Sequence, residues 1–353
     1  MSKKPLVISV CVPSYNRPES LRELIEAFLV QTYAYKELII TDDSSNEAVK
    51  KMLDQYSGYP EIRYYKNAQN IGFAHNLRKS LLLAKGDVTI MMGDDDIFLV
   101  SNALSQYVRV FSENPTVSYM YANQVQFASD GSVKAIVDEF TSSKKFGHGK
   151  KAIERLLVTS IFIGGLTFRN HPGIVAKYYP DEEYLHPQFL FSGNILMNHD
   201  GYGLAEHLIG FRSEADQFIY KAMKDKKIQK VGNHQNIELF TLFNILINQY
   251  KNKTINLDFL ERRLVTNSAI LYPKEKCILG NEQLLHNYRQ FCLQSKVARN
   301  SLLLWFVVVF SFLAPPTLIQ TLRNIAFFVN KELHRSRFLL FERHVSAMLL
   351  PSK

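Results

Sequence analysis

The sequence predicts an α/β protein: an open, mostly parallel sheet with helices on both faces, followed by a C-terminal α-helical extension. Three observations carry this. Short β-branched apolar runs alternate with amphipathic stretches through the first hundred residues, in the order βαβαβαβ. A polar cluster closes three of the strands: PSYNR at 13–17, TDDSS at 41–45 and GDDD at 93–96. The chain has 353 residues, 46% of them hydrophobic, enough for one large core plus an appendage. Ligands of such sheets sit beyond the carboxyl ends of the strands, so the three clusters should converge in space.

Each element has its own signal. LVISVCV (6–12) is a buried strand, and its seven apolar residues are too short a run for a convincing signal peptide. In PESLRELIEAFLVQT, Leu21, Leu24, Ile25, Phe28 and Leu29 share one helical face, with Pro18 and Ser20 as start signals. KELIITDDSS (36–45) is a second strand, AVKKMLDQYS a helix and IRYYKN (62–67) a third strand. FAHNLRKSLLLAKG (73–86) is a helix stopped by Gly86, and DVTIMMGDDD is a fourth strand running into acids. Beyond residue 100 the alternation loosens. A helix over SNALSQYVRVFSENP and strands over TVSYMYANQVQFA, LTFRN and LAEHLIGFRSEADQF are expected. The expected domains are 1–235, a helical extension at 236–300 and an apolar, basic tail at 301–353.

Charge is unevenly placed. Residues 1–250 hold 27 basic and 27 acidic residues, while 251–353 hold 15 and 6, which supplies the whole net charge of +9. The only cysteines, Cys11, Cys277 and Cys292, are too few for a secreted disulfide scaffold and suit a reducing compartment. A basic surface attracts nucleic acid or anionic lipid. The tail decides for lipid. Residues 302–314 are almost wholly apolar and are followed by Pro315 and Pro316; thirteen residues fall short of the ~20 that span a bilayer. Leu318, Leu322, Ile325, Ala326 and Val329 then share a face, with Lys331, Arg335, Arg337 and Arg343 supplying positive charge. This favours an interfacial or re-entrant segment at a membrane surface over nucleic acid; a buried helix or a homo-oligomer interface is the other reading.

The chemistry gathers at the strand ends. Asp94, Asp95 and Asp96 repel one another unless they are solvated on a turn or face a cation. Oxygen ligands there suit Mg²⁺ or Mn²⁺, which take one or two protein carboxylates plus substrate phosphates. There is no G-x-G-x-x-G after the first strand and no G-x-x-x-x-G-K-[ST], so dinucleotide and P-loop readings lose their support.

The joint pattern SVCVPSYNRPESLRELIEAFLVQTYAYKELIITDDSS, NIGFAHN and GDDD resembles the family 2 glycosyltransferases of the GT-A fold. Its NIGFAHN and GDDD variants look most like abequosyltransferase-type enzymes of bacterial surface polysaccharide assembly. The resemblance implies an inverting transfer of a sugar from a nucleotide-sugar. A UDP-sugar is favoured, and CDP, dTDP or GDP is the alternative carrier. The implied acceptor is a polyprenyl-diphosphate-linked glycan at the cytoplasmic face of the bacterial inner membrane. It places the backbone of Pro13, with Tyr15, Arg17 and Asn76, around the nucleotide. Asp43 would hold the base beside Asp42, for which a helix N-cap or an Asx-turn is the other reading. Asp94 and Asp95 would bind a divalent cation and the ribose or diphosphate, with Asp96 behind them or on the sugar. The rival readings are a nucleotidyltransferase-like enzyme and an inactive GT-A module that binds glycan or membrane.

Two family features are missing. The acidic pair that usually supplies the general base falls at Pro187–Gln188, so His186, then Asp181 with Glu182 and Glu183, are the nearest titratable groups. The histidine that often closes the metal site after an arginine like Arg212 is replaced by Ser213 and Glu214; His207 and His234 are the substitutes.

Overall fold

The computed structural model describes residues 4–212, 235–250 and 258–349. Ser213, Glu214 and His234 lie outside the described residues. The chain forms two compact units. The first comprises Met1–Glu183, Pro187–Glu214 and Phe338–Lys353; the second comprises Tyr184–His186 and Ala215–Arg337.

The first unit opens with β1 (Ile8–Ser14), α1 (Pro18–Leu29), β2 (Lys36–Asp42), α2 (Ala48–Leu53), β3 (Ile62–Lys66), α3 (Phe73–Leu83) and β4 (Val88–Met91). It continues through β5 (Ile97–Phe98), α4 (Ala103–Glu113), β6 (Val117–Phe127), β7 (Val133–Val137) and β8 (Lys144–Phe146). It ends with α5 (Lys150–Leu156), β9 (Leu166–Arg169), α6 (Ile174–Tyr178), α7 (Pro187–Asn198) and β10 (Asp200–Arg212). The sheet order is β3-β2-β1-β4-β9-β6-β10-β5, with β7 on β6 and β8 on β10. The pairs among β1 to β4 are parallel, as the alternation requires. β9 inserts antiparallel between β4 and β6, and β6 and β10 form a long parallel pair.

Period-2 alternation sorts the strands between two faces. Ile8, Val10 and Val12 of β1, with Leu38 and Ile40 of β2, join α1, α2 and α4 in one core through Leu24, Phe28, Val49 and Leu104. The intervening Cys11 faces the other way, where its Sγ meets the Ser80 carbonyl of α3 at 3.3 Å. Helices thus cover both faces.

The second unit holds α8 (Gln235–Gln249), α9 (Asp258–Gln294, bent at Gly280 with φ +83°), α10 (Lys296–Arg299), α11 (Leu302–Leu313) and α12 (Pro316–Leu333). The last helix, α13 (Arg335–Leu349), buries Phe338, Phe341 and Val345. From Phe338 onward it belongs to the first unit, where the Phe341 ring lies 4.8 Å from that of His207. The stretch expected as one tail from 301 is therefore divided between the units.

Candidate functional site

The three polar clusters meet where β1, β2 and β4 end. Because β1 pairs with both β2 and β4, Ser14 stands at the edge shared by the other two clusters. Asp94 Oδ2 accepts hydrogen bonds from the Ser14 hydroxyl and the Tyr15 N–H, each at 3.1 Å. Arg17 Nη1 donates to Asp94 Oδ1 at 3.2 Å and to Asp95 Oδ2 at 2.7 Å. Asn16 holds this bend with φ +55° and donates its N–H to the Ser44 hydroxyl at 2.8 Å. The short PSYNR segment thus turns over the aspartates and presents a cation to two of them.

The three aspartates differ. Asp94 and Asp95 are each 7% exposed, whereas Asp96 is 0% exposed. Asp96 Oδ2 accepts from the Gly93 N–H at 2.8 Å, and Oδ1 is buried with no hydrogen-bond partner. A Cβ on Gly164 would stand 2.5 Å from Asp96 Oδ2, so glycine there lets the backbone close over the carboxyl. Asp96 therefore sits behind the pair rather than on a ligand-facing surface. Burial, then the charge of Asp95, pushes Asp94 up to about 6, against the opposing pull of Arg17, the Tyr15 N–H and Ser14. Burial and the neighbouring Asp95 charge drive Asp96 well above the ordinary carboxylate range.

At the end of β2, Asp43 Oδ1 accepts from Asn67 Nδ2 at 2.6 Å and the Ile71 N–H at 3.2 Å. Asp42 faces inward and is 0% exposed. Its Oδ1 accepts from the Ser44 N–H at 2.8 Å, an Asx-turn contact, and its Oδ2 takes the Tyr64 hydroxyl at 2.8 Å and Lys66 Nζ at 3.1 Å. Asn76, also buried, donates to the Thr41 carbonyl at 3.0 Å and binds Asn67 through its own carbonyl at 2.9 Å. The hydrogen bonds of both residues brace the strand ends. Pro13 lies in β1 opposite Thr41, and Tyr15 is 38% exposed beside Asp94.

The remaining expected residues are dispersed. Asp181 is an exposed loop residue paired with Arg78 at 2.9 Å. His186 belongs to the second unit, where its Nδ1 lies 3.1 Å from Glu238 Oε1 and its N–H donates to the same oxygen. Glu238 also accepts from the Leu185 N–H at 2.8 Å, and both side chains are nearly fully buried. His207 pairs with Asp138 at 2.9 Å, which gives it a partner other than a metal. Arg212 bonds the Asp95 carbonyl at 3.4 Å and pairs with Glu23, tying the end of β10 to the site. Sequence reasoning missed Ser14 and Glu238. Ser14 was within the PSYNR cluster, but Glu238 lies far from His186 in sequence and has no local signature.

Among the described residues no group of three His, Cys, Asp or Glu is arranged to hold a metal unaided. The pair of Asp94 and Asp95 nevertheless fits Mg²⁺ or Mn²⁺ that completes its shell with diphosphate oxygens. Two near-buried carboxylates, one of them raised by the other's charge, are an electrostatic site that calls for positive charge.

The sequence model of glycosyl transferase family 2 matches residues 9–170, which hold Asp42, Asp43, Asp94, Asp95 and Asp96. The chain carries a family 2 glycosyltransferase domain. It is similar to the abequosyltransferase RfbV of Salmonella typhimurium, with 34% identity over 26% of this chain and 28% of that protein. It is also similar to WfgD of Escherichia coli, named as a UDP-Glc:α-D-GlcNAc-diphosphoundecaprenol β-1,3-glucosyltransferase. There the identity is 28% over 41% of this chain and 54% of that one. The chain spans 38% and 62% of the length of two further curated relatives. S. aureus TarS, residues 1–349, shares the GT-A fold, with a TM-score of 0.51, 13% identity and coverage of 90% of this chain and 92% of that one.

Proposed function

We propose that the chain transfers a sugar, with inversion, from a nucleotide-sugar to a lipid-linked glycan in surface polysaccharide synthesis. The carrying observation is the near-buried pair Asp94 and Asp95 at the end of β4, met by Arg17 and the Ser14–Tyr15 backbone from β1. Such a cradle suits a diphosphate: a hydrogen-bonding loop, a guanidinium and two carboxylates lie within one contact shell. A divalent cation bound to Asp95 and Asp94 would neutralise charge building on the departing nucleoside diphosphate. Arg17 adds a second positive group to the same oxygens. Asp43, whose Oδ1 is held by Asn67 and the Ile71 N–H, is proposed to accept a hydrogen bond from the base. The named donor and acceptor of WfgD support a UDP-sugar and a polyprenyl-diphosphate acceptor. The acceptor hydroxyl must lose a proton. His186 is proposed as the base, with Asp181 as the alternative; a histidine whose Nδ1 faces a carboxylate such as Glu238 accepts a proton at Nε2.

The test is calorimetry with UDP, GDP, CDP and dTDP, each with and without Mn²⁺, on the wild type and Asp95→Ala. One nucleotide, UDP above the others, should bind tightly only with Mn²⁺ and only with Asp95 present. Binding of no nucleotide under any condition would overturn the reading.

A further inference from the structure

The second unit carries an apolar surface that the transfer chemistry does not use. α11 buries Leu304, Val308 and Ser311, at the i, i+4, i+7 spacing of one helical face. Its opposite face bears Leu302, Phe306 and Leu313, which are 74%, 62% and 73% exposed. α12 is amphipathic in the sense of an interfacial helix. Leu318, Leu322, Ile325, Val329 and Leu333 fall on one face, and every one is at least 43% exposed. Gln320, Arg323, Asn324 and Lys331 occupy the other face.

The break between the two helices is chemically closed. Pro315 and Pro316 end α11 and leave its last carbonyls without helical partners. The buried ammonium of Lys276, from α9, donates to the Phe312 and Ala314 carbonyls at 2.9 and 3.1 Å. Satisfied carbonyls are what a bent segment needs before it can leave water. Charge points the same way: residues 296–337 hold six Lys and Arg against the single acid Glu332.

We infer that α11 and α12 dock side-on into the surface of an anionic lipid bilayer. Acyl chains cover Phe306, Leu313 and the Leu318–Leu333 stripe, and lipid phosphates meet Arg323 and Arg335. The pair lies in the interface rather than across it. Among the described residues no helix is long and apolar enough to cross a membrane. The 12 residues of α11 reach about 18 Å, against a hydrocarbon core of about 30 Å. A second copy of the chain is the less fitting occupant, because both faces would carry the same excess of positive charge. This docking stands apart from the donor site.

The test is flotation of the full chain with phosphatidylcholine vesicles, with and without phosphatidylglycerol, at low salt. Point substitutions are used because removing the tail would also strip α13 from the first unit. The wild type should float with the anionic vesicles and at least about tenfold more weakly with the neutral ones. Phe306→Asp with Phe328→Asp should abolish flotation with an unchanged circular-dichroism melt, since both side chains are largely exposed. Arg323→Glu with Arg335→Glu should weaken it at least about tenfold. Asp95→Ala should float as the wild type does, which keeps failure of docking distinct from failure of the donor site. Three results would overturn the inference: no flotation with either vesicle, equal flotation with both, or a dimer in solution that the two Asp substitutions dissociate.

Discussion

Replacing Arg17 by methionine tests what holds the aspartate pair before ligand arrives. Its Nη1 lies 2.7 Å from Asp95 and 3.2 Å from Asp94, and its side chain is 30% exposed. At an effective dielectric of about 20, a divalent cation about 4 Å from the guanidinium is repelled by about 8 kcal/mol. The two cannot share the pair, so Arg17 must move aside first. Losing hydrogen bonds to charged groups costs roughly 1.5–3 kcal/mol, and partial exposure puts Arg17 near the lower end. That corresponds to about 10- to 30-fold in affinity. Calorimetric titration with Mn²⁺ alone should therefore show Arg17→Met binding the cation about 10- to 30-fold tighter than wild type. Adding UDP should shrink or reverse the advantage, because diphosphate oxygens give Arg17 a new partner and the variant lacks that contact. Equal Mn²⁺ affinity of the two proteins without nucleotide would refute the reasoning.

Because Asp94 is pushed up to about 6, a proton competes with the cation below that pH, and Mn²⁺-dependent UDP affinity should fall by up to about tenfold per pH unit there. A flat profile from about pH 5 to 8 would contradict this. Asp96 stays neutral in the fold at pH values where the unfolded chain ionises it. Its stability contribution is therefore full below the ordinary 3.8 and is lost as pH rises. Asp96→Asn should accordingly raise the Tm at neutral pH, by roughly 2–4 °C for each kcal/mol relieved, with a lower Tm as the opposing result. Asp42→Ala strands Tyr64, Lys66 and the Ser44 N–H and should cost about 3 kcal/mol in urea unfolding, while nucleotide affinity of the folded protein changes less than about threefold. His186→Gln should lower kcat at least about 100-fold with UDP affinity unchanged; the same loss from Asp181→Asn instead would move the base to Asp181.

The parallel half of the fold was legible because β1, β2 and β4 each carry a short apolar run and each helix has one apolar face. The second half was less so. LTFRN reads as a strand, yet nothing local says that β9 runs antiparallel between β4 and β6, because direction is set by the connection and not by the run. β5 spans only Ile97–Phe98, too short for any period to show, and gains its identity from pairing with β10. At the site, residue type told where carboxylates gather but not how they divide the work. Asp42 and Asp43 are neighbours of identical chemistry, and strand alternation turns one into the fold and leaves the other at its rim. Asp96 differs from Asp94 only because Gly93 and Gly164 bring backbone against it. His186 was found by proximity to a missing pair, whereas its partner Glu238 is contributed by α8 through tertiary structure alone.

The first unit is interrupted in sequence: α13 follows the whole of the second unit and yet buries Phe338, Phe341 and Val345 within the first. A ribosome therefore releases the sheet and its aspartates long before the helix that completes their unit. Until Phe341 has emerged, His207 lacks the aromatic ring that packs beside it. Completion of the first unit is in this way timed by synthesis of the second, and a premature stop after α12 would leave the first unit without those three buried side chains.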